Sequence, residues 1–415
     1  MVPMDISPDY IRMLSEEYAQ RAVDIRRHLC QWPEVSGQEE KTSTLVVSVL
    51  NQLGVPVREK VGGLGVLGLI DGKETGPTIA LRADMDALVL QDRKKVPYAS
   101  KVPGIAHGCG HDVHTAILLG TAMVLSNIRD SIPGRVKLVF QPAEETASGA
   151  SRMVSEGALR EPDVDCILAL HCYPTLRAGE VGIKQGITMA ASDSFDIVIH
   201  GKGGHAAKPH ETVDAILVAA NVVSAIHQII SRRIDPLKPA VITLGTIRGG
   251  TARNVIADRV EIQGTMRCLD EGVRKKLMDS IRDVLDGATG SMGARYELTF
   301  MERTPAVVND ERVTSLVLKA ATEILGTEAA RPINEPAMGA EDFAFYLNQI
   351  PGCFVRLGTS GEGKETCYPL HSGFFDIDEG AISKGIAFLS WAAIRLLAEP
   401  GKTVAREEWK DGLQS

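Results

Sequence analysis

Apolar positions along this chain follow two rhythms. After Ser7-Pro8, a capping residue followed by proline, Ile11, Leu14, Tyr18, Ile25 and Leu29 recur at helical spacing until Pro33 stops the run. A second helix is predicted over about 40–53 and another over 115–127. Between and beyond them lie short continuous apolar runs: a glycine-rich one near 64–70, then 78–83, 136–140, 166–170 and 353–357. Unbroken apolar runs mark strands buried on both faces, and their alternation with helices predicts an α/β fold with a mixed or parallel sheet covered by helices.

The middle of the chain changes rhythm. Strand-like 193–200, helical 213–231, strand-like 240–247 and 258–267, helical 271–285 and strand-like 295–300 give the order β-α-β-β-α-β. That order predicts a small α+β, ferredoxin-like unit inserted at 191–303 into a larger domain made of 1–190 and 304–415, with a helix over about 311–325 returning the chain to it.

A length of 415 residues supports two domains, and 44% hydrophobic with 24% charged residues is the balance of a globular chain. The formal net charge of −8 argues against nucleic acid and anionic membrane surfaces as partners. The start, Met1-Val-Pro-Met-Asp-Ile-Ser-Pro8, lacks a basic segment followed by an apolar core, so no secretory signal is expected. The longest apolar runs read as too short to span a bilayer. Seven scattered cysteines, an odd number, suit free thiols in a reducing cytoplasm.

Chemistry concentrates in His107-Gly-Cys-Gly-His-Asp-Val-His114. The glycines let the backbone turn tightly, so that Cys109 and His111 can face one point, and thiolate with imidazole is a preferred ligand set for zinc-like metals. Asp86, Glu144, Glu145 and His171 each follow a predicted strand, and in open α/β sheets the carboxyl ends of strands are where ligands bind. Neighbouring side chains on an extended backbone diverge, so one of Glu144 and Glu145 can hold a metal while the other acts as general base. Cys109, His111, Glu145, His171 and His371 are enough ligands for two divalent ions if water completes their shells. Asp112 is a candidate for holding an imidazole in its tautomer, and Asp86 is grouped with it behind the ligands. In the inserted unit, Gly201-Lys-Gly-Gly-His205-Ala-Ala-Lys-Pro-His210 has no Lys-Ser or Lys-Thr ending, which argues against a phosphate loop. His205 reads as an oxyanion donor delivered by a lid or a partner subunit. Asn254 and Arg267 are candidates for gripping a substrate carboxylate, though by themselves they read as ordinary turn and surface-strand residues.

These residues resemble the di-metal aminoacylase and carboxypeptidase clan. The likeness is closest to the amidohydrolase branch that includes hippurate hydrolase, N-acetyl-diaminopimelate deacetylase and plant hydrolases of auxin–amino-acid conjugates. It is carried by Arg82-Ala-Asp-Met-Asp-Ala-Leu88, His107–His114, Gln141-Pro-Ala-Glu-Glu145, Gly201–His210, Gly339-Ala-Glu-Asp-Phe343 and His371-Ser-Gly-Phe-Phe-Asp376, in order along the chain. The resemblance implies a catalytic domain with an inserted lid that makes a dimer contact. It also implies Cys109, His111, Glu145, His171 and His371 as metal ligands, Glu144 as general base, and His205 as a lid histidine completing the site, with Asn254 and Arg267 near the substrate carboxylate. Val89 and Ala257 depart from it, standing where proline is usual.

The sequence therefore predicts a cytoplasmic, metal-dependent amidohydrolase. It would cleave N-acyl amino acids or short peptides with two Zn, Mn, Co or Ni ions, as a homodimer or homotetramer, with no nucleic acid or membrane partner. A carboxypeptidase or dipeptidase on the same scaffold is the alternative. A silent binding protein is disfavoured because every ligand and the base are present, and a structural-zinc or redox protein because there is no Cys-x-x-Cys pair.

Overall fold

The computed structural model describes residues 6–74, 76–363 and 366–399. Residues 1–5, on which the expectation about a secretory signal partly rests, lie outside the described residues. The chain divides into two compact units, one containing Val308–Pro336 and everything up to Thr188 and from Asp342 onward, the other Met189–Val307 with Ala337–Glu341.

The first unit is built on an eight-stranded sheet. Its centre is parallel: Arg135–Gln141, Thr78–Asp84, Cys166–Arg177 and Gly352–Ser360 lie side by side. Antiparallel strands flank them, Val57–Val61 and Gly65–Asp71 on one side and Val181–Ile183 on the other. Every residue of Thr78–Asp84 is buried, as its unbroken apolar run requires. One face packs against the helices His111–Asn127 and Gly380–Ala398, on which Pro8–Gln31 packs in turn, and the core there takes Leu81, Ala83, Leu168, Leu170, Val355 and Leu357. The alternate residues of the same strands, Arg82, Ala169, His171, Phe354 and Arg356, face the other way.

The first helix begins where Ser7-Pro8 predicts, with the Ser7 hydroxyl accepting from the Tyr10 amide at 3.2 Å. Two expectations change. The strand starting at Cys166 does not end at Leu170 but runs through His171 to Arg177. The helix after the histidine block starts at His111, four residues early, because Gly110 takes φ +89 and closes the turn directly onto it.

The second unit has a four-stranded antiparallel sheet in the order Ala240–Gly249, Arg259–Cys268, Ala191–His200, Arg295–Thr304. The helices Ala215–Arg233 and Glu271–Met292 share a core with Phe195, Ile197 and Ile199 of its sheet. With two helices joining four strands in this order, the unit is ferredoxin-like. Ala337–Glu341, read from sequence as part of the larger domain, clusters here instead, because the Ala190 amide donates to the carbonyls of Ala337 and Gly339.

Two described helices, Ala215–Arg233 and Gly380–Ala398, are long and apolar enough to cross a membrane, contrary to the reading of short apolar runs. The physical reason is packing: Gly380–Ala398 is apolar nearly all round because it is enclosed in the first unit's core.

Arg26 ties that core to the histidine-block helix. Its buried guanidinium donates to Asp112 at 2.9 Å and to Asp376 at 2.6 Å. Arg26→Met leaves two buried carboxylates uncompensated and is expected to cost about 3–5 kcal/mol. Denaturant unfolding measures it, and a loss under about 1 kcal/mol would contradict the reading, since that is the range of an exposed pair.

Candidate metal centre

The parallel register assembles the site. Thr78–Asp84 pairs with Arg135–Gln141 so that Asp84 lies beside Gln141, and with Cys166–Arg177 so that Arg82 lies beside Ala169. Two residues further on, His171 is therefore level with Asp84, at the sheet's carboxyl edge although its own strand continues. Asp86 and the Glu144–Glu145 turn follow the same edge.

His111 and His171 are each held by the rear nitrogen of the ring. His111 Nδ1 lies 3.2 Å from Asp86 Oδ1, and Asp86 Oδ2 accepts from the Ser36 hydroxyl at 2.6 Å and from the Glu145 amide at 3.0 Å. His171 Nδ1 lies 2.9 Å from the Cys172 carbonyl, which can only accept, so Nδ1 carries the proton and Nε2 the lone pair. That lone pair faces Cys109 Sγ at 3.5 Å. His111 Nε2 is buried without a hydrogen-bond partner, 3.9 Å from Glu144 Oε2 and 3.9 Å from Glu145 Oε1. Glu145 Oε1 in turn lies 3.6 Å from Nε2 of the half-exposed His371. The potential ligand atoms of Cys109, Glu145 and His371 form one tight group, and those of His111, Glu144 and Glu145 another.

Gly110 makes this packing possible. A side-chain carbon at Gly110 would sit 2.7 Å from Cys172 Sγ, besides being strained at φ +89. The His371 amide donates to the Gly108 carbonyl at 2.7 Å, which ties the late histidine to the early block.

The electrostatics of these donors suit a divalent cation. Burial, reinforced by Glu145, Glu144 and Asp84, pushes the Cys109 thiol well above its ordinary range. Burial favours a neutral His111, yet Asp84 and Asp86 outweigh it and hold that imidazole up at about 10. A buried cluster of acidic donors around an unsatisfied imidazole nitrogen is the chemistry of a divalent-metal site, where the ion replaces these protons. The mixture of sulfur, nitrogen and oxygen donors suits borderline metals.

Two expectations are corrected. Asp112 does not hold a site imidazole: the first helical turn directs it to Arg26, and Asp86 supports His111 instead. Glu144 and Glu145 sit in a turn after Ala143 at φ +54, not on extended backbone, so both carboxylates approach one imidazole rather than diverging. The sequence reading left out Asp84 and His114. Their pairing makes them structural: His114 Nε2 accepts from the Cys172 amide at 2.8 Å, so Nδ1 donates to Asp84 at 2.5 Å and neither nitrogen is left for a metal. Burial pushes His114 down to about 4, which keeps it neutral in that role. The i, i+3 spacing of His111 and His114 signals a shared helix face, but not that one ring is used up by hydrogen bonds.

In the second unit, His205 is exposed, with Nδ1 accepting from the Ala207 amide at 3.0 Å. Asn254 is exposed, and its carbonyl accepts from the Ala206 amide at 3.1 Å. Arg267 donates to the Met338 carbonyl at 3.0 Å.

A sheet edge carrying such donors defines a metal-dependent hydrolase. Residues 80–395 match peptidase family M20/M25/M40, and the chain belongs to that family. It is 42% identical over 367 residues to thermostable carboxypeptidase 1 of Saccharolobus solfataricus, covering 88% of this chain and 92% of that protein. It is 41% identical over 377 residues to an N-acetyl-L-cysteine deacetylase of Bacillus subtilis, covering 90% and 88%. A crystal structure of a dinuclear metal binding peptidase of family M20 from Bacillus subtilis superposes with TM-score 0.80 at 33% identity, covering 94% of this chain and 100% of that one.

Two outcomes follow for this centre. Asp86→Asn frees the His111 ring and is expected to weaken metal affinity roughly 10- to 100-fold, read by competition with a chromophoric chelator. Uptake of a divalent ion by the metal-free protein near neutral pH is expected to release protons, because Cys109 and His111 both keep theirs there until an ion displaces them. Calorimetry in buffers of different ionisation enthalpy measures the release, and a buffer-independent heat would contradict it.

Proposed function

We infer that the protein is an amidohydrolase that cleaves N-acyl amino acids at their amide bond. The observation that carries this reading is the pair Glu144 Oε2 and Glu145 Oε1, both 3.9 Å from His111 Nε2. One carboxylate there can serve as ligand while its neighbour handles protons. Cys109, His111, Glu145, His171 and His371 are the residues assigned to hold two divalent ions, drawn from Zn, Mn, Co or Ni. When bound, such ions polarise the amide carbonyl and acidify water.

Glu144 takes the proton of the attacking water and returns it to the leaving nitrogen, so one carboxylate serves as base and then acid. His171 and His111 keep their rear N–H groups engaged by the Cys172 carbonyl and Asp86, so neither ring turns during the reaction. From the second unit, the reading assigns His205 as donor to the developing oxyanion, and Asn254 and Arg267 as donors to the leaving amino acid's carboxylate. That unit is assigned as a lid and as the contact of a homodimer or a tetramer. All seven cysteines are free, which supports a reducing, cytoplasmic setting.

The relatives named above include a deacetylase and a carboxypeptidase, so a carboxypeptidase or dipeptidase activity is the second reading. N-acetyl and N-benzoyl amino acids assayed beside dipeptides separate the two.

Glu144→Gln is expected to lower turnover about 10²- to 10⁴-fold while metal content stays unchanged. Turnover within about threefold of wild type, far below the contribution of a general base, would remove Glu144 from this role.

A further inference from the structure

Arg356 is a buried cation near the centre that the reaction above leaves unused and that, unlike Arg82, has no carboxylate beside it among the described residues. It lies on Gly352–Ser360, in parallel register directly beside His171. Register partners in adjacent strands point to the same face, about 4.8 Å apart. Arg356 therefore stands next to an assigned ligand, on the face turned away from the core that holds Val355 and Leu357. The residue is only 5% exposed. Its guanidinium lies over the Tyr173 ring, 4.9 Å from the centroid, and Nη2 donates to the Thr188 carbonyl at 3.2 Å.

No carboxylate among the described residues pairs with it. Arg26 and Arg82, the other deeply buried arginines of this unit, each have two or more carboxylates. Only the Tyr173 ring and one carbonyl offset the cost of burying Arg356, and desolvation holds its pKa below the usual arginine range. Its remaining guanidinium nitrogens have no acceptor among the described residues, and neither is sealed from solvent. A planar fork of donors, stacked on an aromatic ring and held open beside a catalytic centre, is built for an anion from outside.

We propose that Arg356 is a specificity-determining residue of this site, binding a carboxylate of the amide substrate through its free N–H groups. The inference rests on the amidohydrolase reading for the identity of that carboxylate. Two sources share the chemistry: the α-carboxylate of the leaving amino acid, or a second carboxylate on an acidic substrate.

The test uses the metal-loaded full chain, with Arg356→Gln and Arg356→Lys. The substrates are N-acetyl-methionine, N-acetyl-methioninamide, N-acetyl-glutamate and N-acetyl-glutamine. Arg356→Gln is expected to lower kcat/KM roughly 10- to 100-fold, mainly through KM, for substrates carrying the bound carboxylate. N-acetyl-methioninamide, as substrate or competing ligand, keeps its wild-type value, and Arg356→Lys recovers part of the loss. Loss on all three acids identifies the α-carboxylate; loss on N-acetyl-glutamate alone identifies a second one.

An equal change on every compound including the amide, or no change on any, overturns the proposal. So does an Arg356→Gln chain that does not fold, since it would make the residue structural. If the wild type hydrolyses none of these amides, the amidohydrolase reading fails by itself. Arg356 is then judged by calorimetric binding of L-methionine and L-glutamate against their amides, wild type beside Arg356→Gln: weaker binding of the acids alone upholds it, and identical binding removes it.

Discussion

The structure of the centre depends on a buried hydrogen bond between His111 and Asp86. Asp86 is itself held twice, by the Ser36 hydroxyl and by the Glu145 amide. Through that one carboxylate the loop after the first helix, the histidine-block helix and the glutamate turn share a common reference point. The imidazole so fixed directs its other nitrogen at Glu144 and Glu145. A ring free to rotate would place a lone pair nowhere in particular, and a preorganised ligand loses little entropy when an ion arrives.

Around that point the fold places further acidic donors in a buried environment, an arrangement that is unfavourable without a cation. Asp84 is the exception, because Arg82 neutralises it and the neutral His114 donates it a hydrogen bond. His114 also receives the Cys172 amide, so the pair keeps Cys166–Arg177 in place and with it His171. Charges that are paired internally thus brace the strands, whereas Glu145 and the open nitrogen of His111 are turned to the ligand side. Arg356, with no carboxylate partner among the described residues, adds a charge of opposite sign on the strand beside His171.

The second unit is a separate piece of folding. Its sheet buries Phe195, Ile197 and Ile199 against two helices in a core of its own. His205 lies on the two-residue strand Gly204–His205, paired with Val255–Ile256, and Asn254 in the turn before that partner strand, both exposed at the unit's surface. Residues there can be exchanged with little cost to the unit's core, which suits groups that select a substrate.

Much of this protein was legible in its sequence. Unbroken apolar runs determine the buried parallel strands, because only residues apolar on both faces survive between two helical layers. The β-α-β-β-α-β order determines the second unit. Cys109, His111, Glu144, Glu145, His171 and His371 stand out because such donors at strand ends and between glycines have few other uses. Which partner each donor takes was decided only in three dimensions. Asp86 and Asp112 look equivalent in sequence, yet one supports an imidazole and the other pairs with Arg26, 86 positions away. His111 and His114 share a helix face, yet only His111 keeps an open nitrogen. Arg356 reads as an ordinary strand residue until the register sets it beside His171. Local pattern fixes residue type and element, while hydrogen-bond partners and the neutralisation of buried charge depend on contacts between distant segments, which only the folded chain creates.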